Sequence, residues 1–447
     1  MKIGFLPLYV ELYDRICPAD AAAAREFART AAAKFRAAGM EVIEADACCL
    51  DADFHAAVQL FETEKCEAIL SLHLAYSPSL EAIGALKSTP LPLVIIDTTP
   101  DAVFADPEKQ LMANHGIHGV QDLGNLLLRN GKPFLIAAGE FDDLLVCRTT
   151  KLLKSAAMAN KMQNLRIGRI GGEFAGMGDF LFSPESISIT EVCYTDPGEI
   201  SAEDIQKEII ADRENFQLRD LSDEIHETSV KAGLKVRKFI QDNQLDGFTL
   251  CFTGISRESG WETVPFAECS KAMARKTGYA GEGDVLTAGL HAALFKGFDD
   301  CGFAEMFCPD WENDLIFTSH MGEINTALTL DKPLLTRMPF IFGSAGDPAV
   351  AFGCFRPGNA LWVDLAPQAG DKFKLIVSEI EFLPQPENLR GSARNAGYFR
   401  PKKSSIGAFL EEYTRNGGTH HAVAVYDGDT AMLRDFAALM KWEFTEI

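Results

Sequence analysis

Five short apolar runs in the first 140 or so residues, separated by stretches long enough for helices, constrain this chain more than any other feature of its sequence. The runs are Lys2–Leu6, Glu41–Ala45, Glu67–Leu72, Leu93–Asp97 and Phe134–Ala138, and their alternation with helical segments is the pattern of parallel βα units. Between the first two, Asp20 is the expected cap of a helix that Gly39 stops. Phe27, Ala31 and Phe35 are spaced four apart on the face expected to meet the sheet. Ligands of doubly wound sheets collect at the carboxyl ends of strands, which directs attention to the loops after Leu6, Leu72 and Asp97. No GxGxxG or GxxxxGK[ST] follows any of them, so this layer is α/β without a nucleotide fingerprint.

A second α/β layer is expected to start with a strand at Arg166–Ile170. It is followed by the glycine-rich Gly171-Gly172-Glu173-Phe174-Ala175-Gly176-Met177-Gly178-Asp179, which reads either as a tight surface turn or as a loop facing a substrate. Ser201–Asp204 resembles a capping box ahead of a charged helix, and a second polar helix is expected from about Ser222 to Asn243. Strand Phe248–Phe252 and a helix near Val264–Arg275 continue the pattern. After about residue 306 the helical period fades. Leu361–Leu365, Phe373–Phe382 and Ala422–Tyr426 read as strands of an antiparallel sheet or barrel, with a last helix near Ala431–Lys441. The basic stretch Arg390–Lys403 reads as a solvated loop. The expected organisation is two doubly wound, Rossmann-like parallel-sheet domains, at 1–160 and 161–305, followed by a C-terminal antiparallel β-barrel-like domain at 306–447.

The 447 residues carry 42 Lys plus Arg against 64 Asp plus Glu, a formal charge of −22. That surplus argues against a nucleic-acid backbone and an anionic membrane surface as partners, since both require positive faces. The 11 cysteines form no CxxC and mostly sit in apolar stretches as small hydrophobes would. No uncharged apolar run approaches the ~18 residues of a membrane span. Together with an N-terminus unlike a signal peptide, these features read as a cytoplasmic location.

Four segments combine metal-competent side chains with contexts that expose them. In Gly281-Glu282-Gly283-Asp284 the flanking glycines let the backbone turn sharply and carry Glu282 into a cleft. In Phe303-Ala304-Glu305-Met306-Phe307 a lone carboxylate is set among apolar residues, so Glu305 either lies exposed on an edge strand or faces a cation or metal. Ile316–Glu323 is a strand-like run ending in His320, and Gly417–Val423 contains the pair His420-His421. Side chains alternate along a strand, so at most one of that pair is expected to be a ligand. Two carboxylates and two imidazoles, with no competing thiolates, suit an octahedral Mn²⁺ or Mg²⁺ better than a structural zinc. Ligands drawn from separate segments point to a preorganised catalytic centre at a domain junction.

These segments, in this order, resemble those of the L-fucose isomerase and L-arabinose isomerase superfamily of aldose–ketose isomerases. The resemblance extends in outline over the whole chain. It implies that Glu282, Glu305, His320 and His421 bind Mn²⁺, with Mg²⁺ or Co²⁺ as alternatives, and that the two glutamates also form the acid–base pair. His420 then becomes a substrate contact, and either Phe174 or Met177 faces the sugar. Asn114-His115-Gly116-Ile117-His118-Gly119 is similar to the segment that supplies a substrate-contacting histidine from a neighbouring subunit. This gives His118 that role and implies a homotrimer or homohexamer.

The reaction expected of such a centre moves a sugar carbonyl between C1 and C2 through a cis-enediol, with proton transfers at carbon and oxygen shared by Glu282 and Glu305. A metal-dependent epimerase or lyase on the same scaffold, or a sugar-binding protein without turnover, are the alternatives.

Overall fold

A computed structural model describes residues 1–183, 187–385, 394 and 397–447. Residues 386–393, 395 and 396 therefore lie outside the described residues, and the later part of the basic stretch is not a loop as expected but the strand Gly397–Pro401. The chain divides into two compact units, Met1–Lys161 with Ala431–Lys441, and Met162–Thr430 with Trp442–Ile447.

The first unit contains a five-stranded parallel sheet. Its spatial order is Glu41–Glu44, Lys2–Leu8, Ala68–His73, Leu93–Asp97, Phe134–Ala138. This is a doubly wound order, with the chain reversing direction across the sheet after its first two strands. All six residues of the central strand Ala68–His73 are buried, as expected of a parallel strand covered on both faces. After a short helix, Glu11–Ile16, the long helix between the first two strands runs Pro18–Ala37 and buries Ala21, Ala24, Ala28, Ala31, Ala32 and Phe35. Phe27 is only half-buried and meets Phe141 edge-on. Asp20 is not the cap: the helix opens with Pro18 at its first turn, where a missing N–H costs nothing, and leaves Asp20 inside that turn near the positive end of the dipole.

The second unit combines a parallel sheet with a barrel. The sheet order is Gly278–Gly281, Gly247–Leu250, Leu165–Ile170, Ile189–Cys193. The helix Ala202–Asn215 is capped by Ser201, whose side chain accepts from the Asp204 N–H. Helix Asp223–Asp242 is capped in the same way by Ser222. A small three-stranded sheet, Gln217–Arg219, Leu334–Arg337 and Ala349–Phe352, had no clear signal in the sequence.

Six antiparallel strands close the barrel in the order Gly358–Gln368, His421–Tyr426, Cys301–Asp310, Leu315–Ser319, Gly397–Pro401, Lys372–Phe382. The last pairs back with the first over eleven positions. Closure removes the exposed edges that an open sheet would present. Trp362, Ile376, Ile380, Phe382, Phe399 and Phe409 belong to its apolar core. Glu443–Glu446 adds a short parallel strand against Lys372–Phe382.

Buried Asp364 pins the segment that leads into the histidine pair. It lies 2.9 Å from the Thr419 N–H, 2.8 Å from Thr419 Oγ1 and 2.9 Å from the Tyr413 hydroxyl. Replacing it by alanine would leave buried donors without an acceptor. Asp364→Ala is expected to cost about 3 kcal/mol and to lower the thermal unfolding midpoint; an unchanged midpoint would contradict this role.

Candidate metal centre

Four strands of the second unit bring their residues or their ends to one small region. Glu282 follows the strand Gly278–Gly281, at the carboxyl end of the parallel sheet. Its φ of +63° is unusual for a residue with a side chain. Hydrogen bonds from the Glu282 N–H to the Leu250 carbonyl (2.8 Å) and from the Phe174 N–H to the Glu282 carbonyl (3.1 Å) hold it there. The glycine on each side is sterically required. A Cβ on Gly281 would lie 2.4 Å from His320 Cε1, and one on Gly283 would lie 2.6 Å from the Gly172 carbonyl oxygen.

Glu305 lies on the barrel strand Cys301–Asp310, directly opposite His421 on one neighbour and Ser319 on the other. It is therefore on an interior strand, not an edge. Opposed residues project from the same face of a sheet, so Glu305 and His421 share a face. A register shift between Met306 and Cys308 bends the strand just beyond it. Burial raises the Glu305 carboxyl above the ordinary range, against the opposing pull of His320 and His420.

Each histidine is backed by a carboxylate at Nδ1. His421 Nδ1 lies 2.9 Å from Asp284 Oδ2, His320 Nδ1 lies 2.7 Å from Glu323 Oε2, and His420 Nδ1 lies 2.6 Å from Asp179 Oδ2. An ionised carboxylate only accepts, so each pairing places the proton on Nδ1 and turns Nε2 toward the centre. Nε2 of His320 and Nε2 of His421 are buried and have no hydrogen-bond partner among the described residues. Such unpaired buried acceptors are costly unless they bind something. His421 Nε2 stands 3.7 Å and His420 Nε2 3.4 Å from Glu282 Oε2.

The carboxylates are themselves fixed. Asp284 caps the helix Val285–Leu294, its Oδ1 accepting from the Thr287 N–H at 2.8 Å. Glu323 accepts from the Tyr279 hydroxyl and, at 2.7 Å, from the Gly322 N–H. The ring of Phe303 sits 4.9 Å edge-on to both His320 and His421, and Phe180 stacks on His421 at 5.7 Å.

Glu282, His420 and His421 form a group able to hold a metal ion, with one ligand atom from each lying within 4.8 Å of the others. Strand alternation does not separate the two histidines as expected. The strand begins at His421, so His420 lies in the preceding bend and its ring centre is 4.0 Å from that of His421.

Burial works against charging His420, but its bonds to Asp179 and Glu282 carry it up to about 10. Burial likewise opposes ionisation of Asp179, and the bonds from His420 overcome it, bringing that carboxyl down to about 2. The half-buried Phe174 and Met177 lie in the glycine-rich loop beside Glu282. His118 belongs to the first unit, where it is exposed on the helix Ile117–Arg129 with its ring edge-on to His115. Asp284, Glu323 and Asp179 were not singled out from the sequence. Asp284 was legible only as a helix cap, and Asp179 is 241 positions from its partner.

Residues 300–443 match the family model described as the L-arabinose isomerase C-terminal domain. The chain is 24% identical over 412 residues to the L-arabinose isomerase of Aeromonas hydrophila subsp. hydrophila, covering 86% of this chain and 81% of that one. It is 24% identical to the L-arabinose isomerase of Shouchella clausii, over 84% of this chain and 80% of the other. It is 25% identical to that of Geobacillus stearothermophilus, over the same shares. Each of these relatives is named an L-arabinose isomerase. The match of residues 300–443 and the similarity over more than four fifths of the chain support the resemblance to the L-fucose isomerase and L-arabinose isomerase superfamily.

The close approach at Gly281 is directly testable. Gly281→Ala would force the pinned His320 ring aside, at an expected cost of about 1–3 kcal/mol. A lowered unfolding midpoint with a shifted His320 imidazole NMR signal is the expected result, and an unperturbed signal would refute the contact.

Proposed function

We propose that this protein is a divalent-metal-dependent isomerase that interconverts the aldose and ketose forms of a small sugar through a cis-enediol. The observation that carries this reading is the pair of buried, unpartnered imidazole nitrogens, His320 Nε2 and His421 Nε2, each backed by a carboxylate. A donor set of His320, His421, Glu282 and Glu305 fits Mn²⁺, and Mg²⁺ or Co²⁺ suit it too. A bound ion would supply Lewis-acid polarisation of the sugar carbonyl and keep O1 and O2 on one side.

The proton work falls to the two glutamates. One carboxylate takes the proton from C2 of the aldose and returns it to C1, while the other moves the hydroxyl proton from O2 to O1. The atoms balance without an external oxidant or reductant. Phe303 and Phe180 cover the histidines with apolar rings and limit water there. His420 and either Phe174 or Met177 contact the sugar in this reading. His118 acts on the sugar of a neighbouring subunit in a homotrimer or homohexamer. The relatives' name makes L-arabinose the first sugar to test, alongside other pentoses, 6-deoxyhexoses and hexoses. No helix among the described residues is long and apolar enough to cross a membrane, and the proposed location is the cytoplasm.

Incubation of the Mn²⁺-loaded protein with such a panel in D₂O, followed by NMR, tests the reading. Aldose–ketose conversion with deuterium entering at C1 of the ketose is expected, and chelation of the metal should stop it. Deuterium uptake without conversion would point to an epimerase or lyase, and binding without turnover to a sugar-binding protein; either outcome would overturn the isomerase reading. Glu282→Gln and Glu305→Gln should each lower turnover by about 10³-fold with folding retained, and near wild-type rates in both would exclude the glutamate pair.

A further inference from the structure

We propose that Asp179 is a positioning residue that acts through His420, so that the glycine-rich loop following strand Leu165–Ile170 contributes to sugar turnover. This rests on the isomerase reading above and adds a residue to it. A single oxygen, Asp179 Oδ2, takes both the backbone N–H of His420 (2.9 Å) and its Nδ1 (2.6 Å). A loop anchored for stability alone would need only the backbone bond. The second contact fixes the ring about its own axis and directs Nε2 toward Glu282 Oε2, 3.4 Å away.

The contrast with the other two carboxylate–imidazole pairs gives the arrangement its meaning. In His421–Asp284 and His320–Glu323 the side chains are between 0% and 3% exposed. In His420–Asp179 they are 25% and 38% exposed. The two buried pairs are sealed from solvent, as suits residues holding an ion. The third lies open, where an incoming sugar hydroxyl can meet the imidazole. The loop that delivers Asp179 is fastened on both sides of it, by the Phe174 N–H on the Glu282 carbonyl and by the Phe180 ring stacked on His421. Its turn depends on Gly171, Gly172 and Gly176, all at φ between +80° and +87°. Asp179 thus stands at a set distance from the centre, and the imidazole it holds is preorganised before substrate arrives.

The test combines three variants with two readouts. Asp179→Ala is expected to lower kcat/KM by about 10–100-fold while the Mn²⁺ dissociation constant, measured by calorimetry, changes by less than about 2-fold, because His320 and His421 keep their own carboxylates. His420→Gln should give a similar loss, and the double variant should lose no more than the worse single one. Asp179→Asn keeps an oxygen acceptor and should recover part of the activity, which also controls for misfolding. Independently of activity, ¹⁵N NMR should show a hydrogen-bonded Nδ1–H on His420 in the wild-type protein and its loss or shift in Asp179→Ala.

Additive losses in the double variant would overturn the proposal, as would an unmoved His420 signal. A tenfold or greater drop in Mn²⁺ affinity on Asp179→Ala would make His420 a metal ligand and equally overturn it. If the wild-type protein turned over no sugar, the isomerase reading would fail, whereas the NMR readout would still decide whether Asp179 fixes the imidazole.

Discussion

Asp284 joins the two layers of the second unit through its two oxygens. One caps the helix after the strand that ends at Glu282, accepting from the Thr287 N–H, and the other holds His421 at the start of a barrel strand. The cap ties the carboxylate to the parallel layer, because the first turn of a helix offers N–H groups with no intrahelical acceptor. The bond to His421 then fixes where the barrel presents its imidazole. Glu282 is two residues from Asp284, and Glu305 lies across the ladder from His421. Small errors in that one link would therefore displace Glu282 relative to His421 and Glu305, whereas His320 is set separately by Glu323.

Burying this many ionisable groups is expensive, and the structure offsets the cost by pairing. Each imidazole has a carboxylate, and Glu323 has donors from Tyr279 and Gly322. A second buried network away from the centre follows the same rule. Lys271 lies between Glu208 and Asp212, and Arg237 between Glu208 and Glu268. There every charged group is matched, which marks a structural cluster joining three helices. At the centre the two Nε2 atoms remain unmatched. That difference separates a site built to bind from one built to hold helices together.

Much of the architecture was legible because it rests on period and punctuation. The five parallel strands of the first unit follow from apolar runs, and Glu282 from the glycines flanking it. Glu305 was ambiguous, since an acidic residue in an apolar strand reads alike on an edge or facing a cation; only pairing on both sides settles that it is interior. Alternation does not separate the rings of the histidine pair, because it holds only within a strand and this strand starts at the second of them. The carboxylates behind the imidazoles had weaker signals. Glu323 follows His320 by three residues, a spacing that suggests contact only in a helix, and here the contact is made by a turn after a strand. Asp179 meets His420 only through tertiary folding, which no local pattern records.

The central claim is that His320 and His421 present Nε2, and Glu282 and Glu305 their carboxylates, to one divalent ion. Diffraction from Mn²⁺-soaked crystals recorded at the manganese absorption edge tests it most directly. A single anomalous peak within coordination distance of those two nitrogens and both carboxylates, with Nδ1 of each histidine still on Asp284 or Glu323, is the predicted result. A peak held elsewhere, or ligation that leaves His320 and His421 outside it, would contradict the account.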